Sequence, residues 1–323
     1  MADQSKIEWT DSTWNPITGC SPVSDGCHNC YAARLAATRL KHHRSRAFLA
    51  KITESGRAVF TGEVCFNPGW LEQPLHWRKP RRIFVAAHSD LFHPAVTDDW
   101  RDQVFAIIAL SPQYKFQVLT KRPERAVNYF GNSELLIRVA TQATILGRHL
   151  RQGHPGSNPE NWSHFEGRAM WKRRSANVTV GCSVESQQNA DLRRQSMYLI
   201  NLQGHRTWVS YEPALGPVNL SGWEFLKGIV AGGESGPLSR PAHPDWFRKT
   251  REWCAANKVG FHFKQWGAFH PSIGADSKVP LALNLDGVVV PCDSNPDAQR
   301  LYRVGKAIAG RELDGVTHDW VPE

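Results

Sequence analysis

Three cysteines crowd into a short stretch near the start of the chain. Residues Thr13–Tyr31 read TWNPITGCSPVSDGCHNCY and set Cys20, Cys27 and Cys30 at a Cys-x6-Cys-x2-Cys spacing. The Cys-x2-Cys pair lets two thiolates reach one metal site from a single turn, and a third on the same loop completes a triangular face. Iron–sulfur clusters are usually held by four thiolates. Three would leave one iron of a [4Fe–4S] cluster open to a small molecule. Cys65, Cys182, Cys254 and Cys292 are scattered singly, which does not suit a secreted disulfide framework, and a tight thiol group in a reducing compartment points to a metal or a cluster. Two other readings stand beside the cluster. One is a Cys3His zinc site with His28, His42 or His43 as fourth ligand, and the other is three unrelated thiols. His28 adjoins Cys27, which strains both on one tetrahedral ion, while His42 and His43 fall in a segment that reads as helix.

The elements that position these residues follow from apolar runs. Arg82–Ala87, Lys115–Thr120, Asn177–Ser183, Arg206–Tyr211, Gly228–Gly232 and Gly260–Gln265 read as strands, with a first strand expected at Thr13–Thr18. Continuous apolar runs suit strands buried on both faces of a parallel sheet. Helices are expected between them. Thr97 offers an N-cap before Trp100, Val104, Ile107 and Ile108 on one face, Pro123 and Pro244 suit first helical turns, and Ser186 suits a cap. Right-handed βαβ crossovers then wind the strands into a barrel or an open part-barrel. In such a barrel the loop carrying the cysteines lies at the catalytic face. Two gaps break the spacing. One holds the cysteine loop and the basic segment Arg34–Arg57. The other, from Thr120 to Asn177, holds the turn-rich Gly153–Asn161 and the WKRR of Trp171–Arg174. Beyond Trp266 a hairpin is expected around Asp286-Gly287, then a loose helix and loop over Leu301–Gly315.

With 323 residues, 41% hydrophobic and 21% charged, the composition is that of a folded globular protein. No run approaches the ~20 apolar residues of a membrane helix, and the polar N-terminus lacks a signal-peptide core, so a cytoplasmic protein is expected. The formal charge of +9 favours a polyanionic partner. The excess gathers in Arg34–Arg57 and Ser133–Ala176, and thirteen tryptophans offer surfaces for base stacking. A nucleic-acid partner is the expectation, with DNA favoured. Oligomeric state is not legible.

Further segments carry a resemblance: HSDLFH (His88–His93), LTKRPER (Leu119–Arg125), VSYEPALGPV (Val209–Val218), GGESGP (Gly232–Pro237), FKQWG (Phe263–Gly267) and LYRVGKAIAGRELDG (Leu301–Gly315). With the cysteine loop they make the chain resemble the radical S-adenosylmethionine (SAM) superfamily and, more closely, a phage-associated family of three-cysteine radical SAM-like proteins. The superfamily's usual spacing is Cys-x3-Cys-x2-Cys, so the first gap here is wider. The resemblance implies an α/β fold: a partial (β/α)6-type radical SAM barrel over residues 1–270, a basic insertion at about 131–176, and a C-terminal extension, 271–323, packed on the barrel. It implies a [4Fe–4S] cluster on Cys20, Cys27 and Cys30, with SAM on the open iron and an external electron donor. It further implies a 5′-deoxyadenosyl radical that modifies or rearranges a nucleic-acid base, with a thymine, plain or hypermodified, of phage-type DNA favoured. A peptide or small metabolite is the alternative substrate, and a non-enzymatic metal-containing nucleic-acid-binding protein the alternative function.

Strand ends mark the other candidates. Ser89 and Asp90 would meet the SAM amine, against a turn or N-cap role for Asp90. Lys121, beside Thr120 and Arg122, would meet the SAM carboxylate or a substrate phosphate, against a surface turn. Ser183 and Glu185 would bind ribose, against a helix-entry role beside Ser186. Gly232 and Gly233 would admit adenine, with Glu234 on sugar or substrate, and the superfamily's amine-binding role for GGE is not transferred to them because that motif follows the second strand. Glu212 would face substrate, and Lys264, Gln265 and Trp266 would touch substrate or seal the barrel edge. Cys182, at a strand end, would donate a hydrogen atom, against its reading as a small buried hydrophobe.

Overall fold

Each apolar run pairs in parallel with its neighbour in sequence. The computed structural model describes residues 5–153, 177–273, 275, 278–292, 295 and 298–323. In it, seven strands lie side by side in chain order: β1 (Ser12–Trp14), β2 (Arg82–Val85), β3 (Lys115–Thr120), β4 (Val178–Ser183), β5 (Arg206–Tyr211), β6 (Gly228–Gly232) and β7 (Gly260–Gln265). β1 and β7 are the outer strands of this sheet, which curls into an open half-barrel with one strand more than six βα units supply. The longer helices are α1 (Tyr31–Ala37), α2 (Asp98–Ala109), α3 (Pro123–Phe130), α4 (Leu135–Gly153), α5 (Gln187–Leu202) and α6 (Pro244–Ala256). Thr97 accepts from the Trp100 N–H at 3.3 Å, and Pro123 and Pro244 open α3 and α6. Ser186 stands at the start of α5, but its hydroxyl meets the Asn189 side chain at 3.2 Å and caps no backbone group.

Alternation along the strands gives the sheet two apolar faces. Ile83, Val85, Phe116, Val118, Val180, Val209 and Phe263 pack outward among the helices with Val104, Ile107, Met197 and Phe247. Phe84, Trp208 and Val230 point inward and pack with Trp9 as a floor inside the half-barrel. Trp9, Trp14, Trp208, Trp223, Trp246 and Trp266 are buried, and among the described residues no tryptophan is exposed. These six tryptophans therefore build core, while Trp70, Trp77, Trp100, Trp253 and Trp320 are half-buried.

The strand expected at Thr13–Thr18 is two pieces. Pro16 has no N–H to give to a ladder, so the chain leaves the sheet after Trp14, and Ile17–Thr18 pairs antiparallel with Cys65–Phe66. α1 ends at Ala37, short of His42 and His43, which follow it in turns and not in a helix. Leu301–Gly315 begins as strand, not as helix. β8 (Phe269–His270), β9 (Leu281–Leu283), β10 (Val289–Val290) and β11 (Gln299–Arg303) form an antiparallel sheet in the order β8-β11-β9-β10, and only Lys306–Ala309 is helical. β9 and β10 turn at Asp286-Gly287, where Gly287 takes φ 87°.

The tail covers the outer edge of β7. Phe263 donates to the His318 carbonyl at 3.1 Å and Trp320 to the Phe261 carbonyl at 3.3 Å, so this edge is not left as a pairing template. The Trp320 indole fills the space that Gly228 and Gly260 leave, where an added Cβ would lie 2.4 and 2.1 Å from the ring. The Gln117 amide donates to the Trp9 carbonyl at 3.0 Å and the Pro322 carbonyl at 2.8 Å. α4 packs on α2 through Arg138–Asp102 at 2.8 Å and Gln142–Asp99 at 2.9 Å. Residues 154–176, with the WKRR of Trp171–Arg174 and nearly all of Gly153–Asn161, lie outside the described residues. No described helix is long and apolar enough to cross a membrane.

Candidate functional site

A cavity of about 480 Å³ opens at the C-terminal ends of the strands, the size of a small-molecule site. Its walls include Cys20, Cys27 and Cys30, with Ser89, Asp90, Lys121, Arg122, Ser183, Ser210, Glu212, Gly233, Glu234 and Lys264. The apolar floor rises into it as Trp9, Phe84 and Leu119.

The cysteine loop leaves β1, turns at Asp25–Cys27, and enters α1 after Cys30. Three buried ion pairs hold it. Arg122 bonds Asp90 at 2.8 Å and reaches the loop through the Ser21 carbonyl at 3.0 Å, the Ser21 hydroxyl at 2.9 Å and Cys20 Sγ at 3.8 Å. Glu185 lies between Arg193, at 2.6 Å, and Lys121, and accepts from the Ser24 hydroxyl at 2.9 Å. Glu234 takes Arg240 at 2.6 Å and the Asn29 amide at 2.9 Å, while Arg240 also donates to the Asp25 carbonyl at 3.0 Å. Burial alone would raise the pKa of Glu185 and Glu234. The cations and donors beside them outweigh it, and both carboxyls sit below their usual range.

These contacts correct several sequence expectations. Glu185 has no exposed surface and its oxygens are engaged by Lys121, Arg193 and Ser24, so it fastens the cysteine loop. Glu234 likewise tethers Asn29 and Arg240. Asp90 accepts from Thr120, from the Lys121 and Phe92 N–H groups and from Arg122, which builds the turn and leaves no free face for an amine. The Lys121 ammonium lies on Glu185. Ser89 donates to the Gly19 carbonyl at 2.6 Å. Gly232 makes room for Glu212, since a Cβ there would lie 2.7 Å from Glu212 Oε1, and Gly233 makes room for the Trp266 carbonyl. Close approach by protein atoms is needed at both positions. Cys182 faces the helices, fully buried in the outer core, and burial pushes its thiol up to about 12. Its neighbour Ser183 is the residue that faces the cavity. This one-residue parity turns the Cys182 thiol away from the cavity.

Three thiols on one loop, with hydrogen-bond donors beside two of them, are groups that a cluster would take. Among the described residues no three His, Cys, Asp or Glu side chains converge on a point that would hold one ion. His28 turns away to Asp25 at 3.6 Å, half exposed, and His43 bonds Ser45 at 2.7 Å. In a cubane each thiolate takes a separate iron and no such convergence is needed. Donors already face two of the sulfurs, Arg122 at Cys20 and the Val23 N–H at Cys27, 3.4 Å away. Burial pushes the Cys20 thiol up to about 12 and raises Cys30, so these thiols would lose their protons to the metal on binding.

Sequence reasoning missed Arg193, Arg240, Asn29 and Ser24, whose roles appear only when distant segments meet. It also missed Tyr31, whose hydroxyl donates to the Ala87 carbonyl at 2.7 Å on the cavity wall. In the basic segment, Arg46 is buried against His88 at 3.0 Å and Ser45 at 2.7 Å, unavailable to a phosphate. Arg34, Arg39, Lys41, Arg44, Lys51 and Arg57 are exposed.

No curated protein matches the chain. Among solved structures it is similar to spore photoproduct lyase complexed with dinucleoside spore photoproduct, at 10% identity and a TM-score of 0.39, covering 94% of this chain and 71% of that chain. Two mutants of that lyase match at 10% and 11% identity with the same coverage and TM-score. A family profile described as "Protein of unknown function (DUF5131)" matches residues 4–322, and the chain belongs to that family.

Proposed function

We propose that the chain is a radical SAM enzyme acting on a nucleic-acid base, with a thymine, plain or hypermodified, of phage-type DNA as the favoured substrate. The observation that carries this reading is the set of three sulfurs from one clamped loop on the wall of the cavity, with His28 turned to Asp25 and His43 to Ser45. Cys20, Cys27 and Cys30 would hold a [4Fe–4S] cluster, which with SAM on its open iron supplies one-electron cleavage of SAM to a 5′-deoxyadenosyl radical, the electron coming from an external donor. The protein's part is to position and to shield. Asp90–Arg122, Glu185–Arg193 and Glu234–Arg240 fix the loop. Trp9, Phe84 and Leu119 give a radical site few protic neighbours from below. Ser183, Ser210, Glu212 and Lys264 present the polar groups that meet ligands. The exposed cations of Arg34–Arg57, joined to the loop through α1, supply a phosphate track.

Anaerobic reconstitution with iron and sulfide tests the reading. A brown protein that yields 5′-deoxyadenosine from SAM and reductant, and changes the mass of a base in added DNA, is expected. A colourless zinc protein that leaves SAM intact refutes the enzyme. Turnover stimulated by peptide or metabolite but not by nucleic acid refutes the substrate class. Binding to DNA should weaken steeply with salt.

A further inference from the structure

Lys306 pairs with Glu8 on the cavity wall at 3.6 Å, while Asp90, Lys121, Arg122 and Glu234 are committed to holding the cysteine loop. Glu212 and Lys264 are not. The Lys264 ammonium lies 3.1 and 3.2 Å from the two oxygens of Glu212, and the Ser210 hydroxyl donates to the second of them at 3.5 Å. All three line the cavity, partly exposed to it or buried at its wall. Ser210 stands on β5 and Lys264 on β7. Glu212 reaches between them over β6, where Gly232 leaves the space its carboxylate occupies. The order across three strands is ammonium, carboxylate, hydroxyl: donor, acceptor, donor.

We infer that Lys264, Glu212 and Ser210 read the imide edge of an unpaired thymine or uracil ring. That edge runs carbonyl, N–H, carbonyl, the complement of the row on the wall. Cytosine and adenine do not present this sequence of groups. In a duplex the edge is occupied by the partner base, so the base must be unpaired or extruded to be read this way. The inference rests on the nucleic-acid reading above and deepens it to a base type.

The test is binding of a short oligothymidylate, and of the same strand methylated at every N3, to the full chain at fixed salt. Phosphate contacts are the same for both strands, so the difference isolates the edge. Weakening of about tenfold or more by N3-methylation is expected, because the carboxylate then faces a methyl group. The double variant Glu212→Leu/Lys264→Met removes both charges together and leaves neither unpaired. It should bind the two strands within about twofold of each other, bind SAM as the parent does, and keep the parent's thermal midpoint. Equal binding of both strands by the parent overturns the inference, as does a preference that survives in the double variant. Loss of SAM binding with the base preference intact assigns the pair to the cofactor and also overturns it. Binding to neither strand removes the nucleic-acid reading together with this one, whereas the cluster and SAM cleavage are judged separately.

A different observation carries a second inference. Phe48 is 91% exposed and holds φ 65°, a region costly for a bulky side chain. Its turn is held by Leu49 N–H to the Arg46 carbonyl at 3.2 Å and by the Thr61 hydroxyl to the Phe48 carbonyl at 3.2 Å. Exposed Arg44, Lys51 and Arg57 lie in the same segment. We propose that Phe48 is a wedge that enters between stacked base pairs of duplex DNA while these cations meet the flanking phosphates. Duplexes carrying 2-aminopurine should brighten on binding the parent and stay dark with Phe48→Ala, while oligothymidylate binding stays unchanged. Phe48→Gly, which relieves the backbone, should fold at least as well and also stay dark. An undiminished signal in either variant overturns the wedge.

Discussion

Replacing Glu185 by glutamine keeps its shape and removes its charge. Arg193, with only 2% of its side chain exposed, then loses its counter-ion at 2.6 Å, and its Nε and one Nη have no other protein partner. Removing one member of a buried pair costs about 3–5 kcal/mol. The Lys121 side is more exposed and adds less. With a urea slope of about 3 kcal/mol per molar for a chain of this size, the unfolding midpoint should fall by about 1 M. The Ser24 bond weakens with it, so the thiols of the loop should react faster with a thiol reagent under native conditions. A charge-balanced control, Glu185→Leu/Arg193→Met, should recover most of the stability but not the slow thiol reaction, because Ser24 still lacks its acceptor. The clamp also fixes a pH dependence. Glu185 has a folded pKa below its unfolded value, so its contribution is complete above the ordinary carboxylate range and is lost as pH falls through the lowered native value. A Glu185→Gln midpoint equivalent to within about 0.5 kcal/mol of the parent, the scale of a surface change, would refute the reasoning.

Cys182→Ala should leave 5′-deoxyadenosine yield and product distribution unchanged in the reconstituted enzyme, at a stability cost of about 1 kcal/mol for the small void; an altered product distribution would return Cys182 to the site. Gly26→Ala places a Cβ 2.6 Å from the Glu185 carboxylate, so reconstituted iron per chain should drop, whereas Gly56→Ala, with nothing within 4 Å, should keep full iron despite its backbone strain. Burial lowers His88, His205 and His262 to about 4 each. Between that value and the unfolded pKa of about 6.5 each binds more protons unfolded, so stability should fall with falling pH by up to about 1.4 kcal/mol per pH unit per histidine, read as urea midpoints across that window. Trp320→Ala should cost about 3 kcal/mol, measured the same way, by emptying the space that Gly228 and Gly260 leave for the indole.

The strands of the half-barrel were legible because buried parallel strands are short, continuous and apolar, and β3, β5, β6 and β7 begin and end where the sequence places them. The same continuity hid which residue faces which way. In Val178–Ser183 every residue is buried, so hydropathy cannot tell the inward Ser183 from the outward Cys182, and register alone decides it. The split at Pro16 was legible in principle, since a proline within a run argues against a central strand. The three loop cysteines are together on the cavity wall because eleven residues of chain bring them there, whatever the remainder does. The clamps are another matter. Ser24 and Glu185 are 161 residues apart, and Asn29 and Glu234 are 205 apart. A carboxylate at a strand end reads the same in sequence whether it will meet a ligand or an arginine from the next helix.

The amide of Gln117 ties Trp9 to Pro322, contacts that span 108 and 205 residues. The interior beneath the cavity is therefore closed by a segment far in sequence from the Gln117 and Trp9 it joins. Until it docks, Gly228 and Gly260 border a hole and the indoles of Trp9 and Trp208 stand unroofed on one side. Distant pairings of this kind slow assembly. A fusion that tugs the final residues away should leave the helical shell standing while water enters from underneath, far from any residue that touches a ligand.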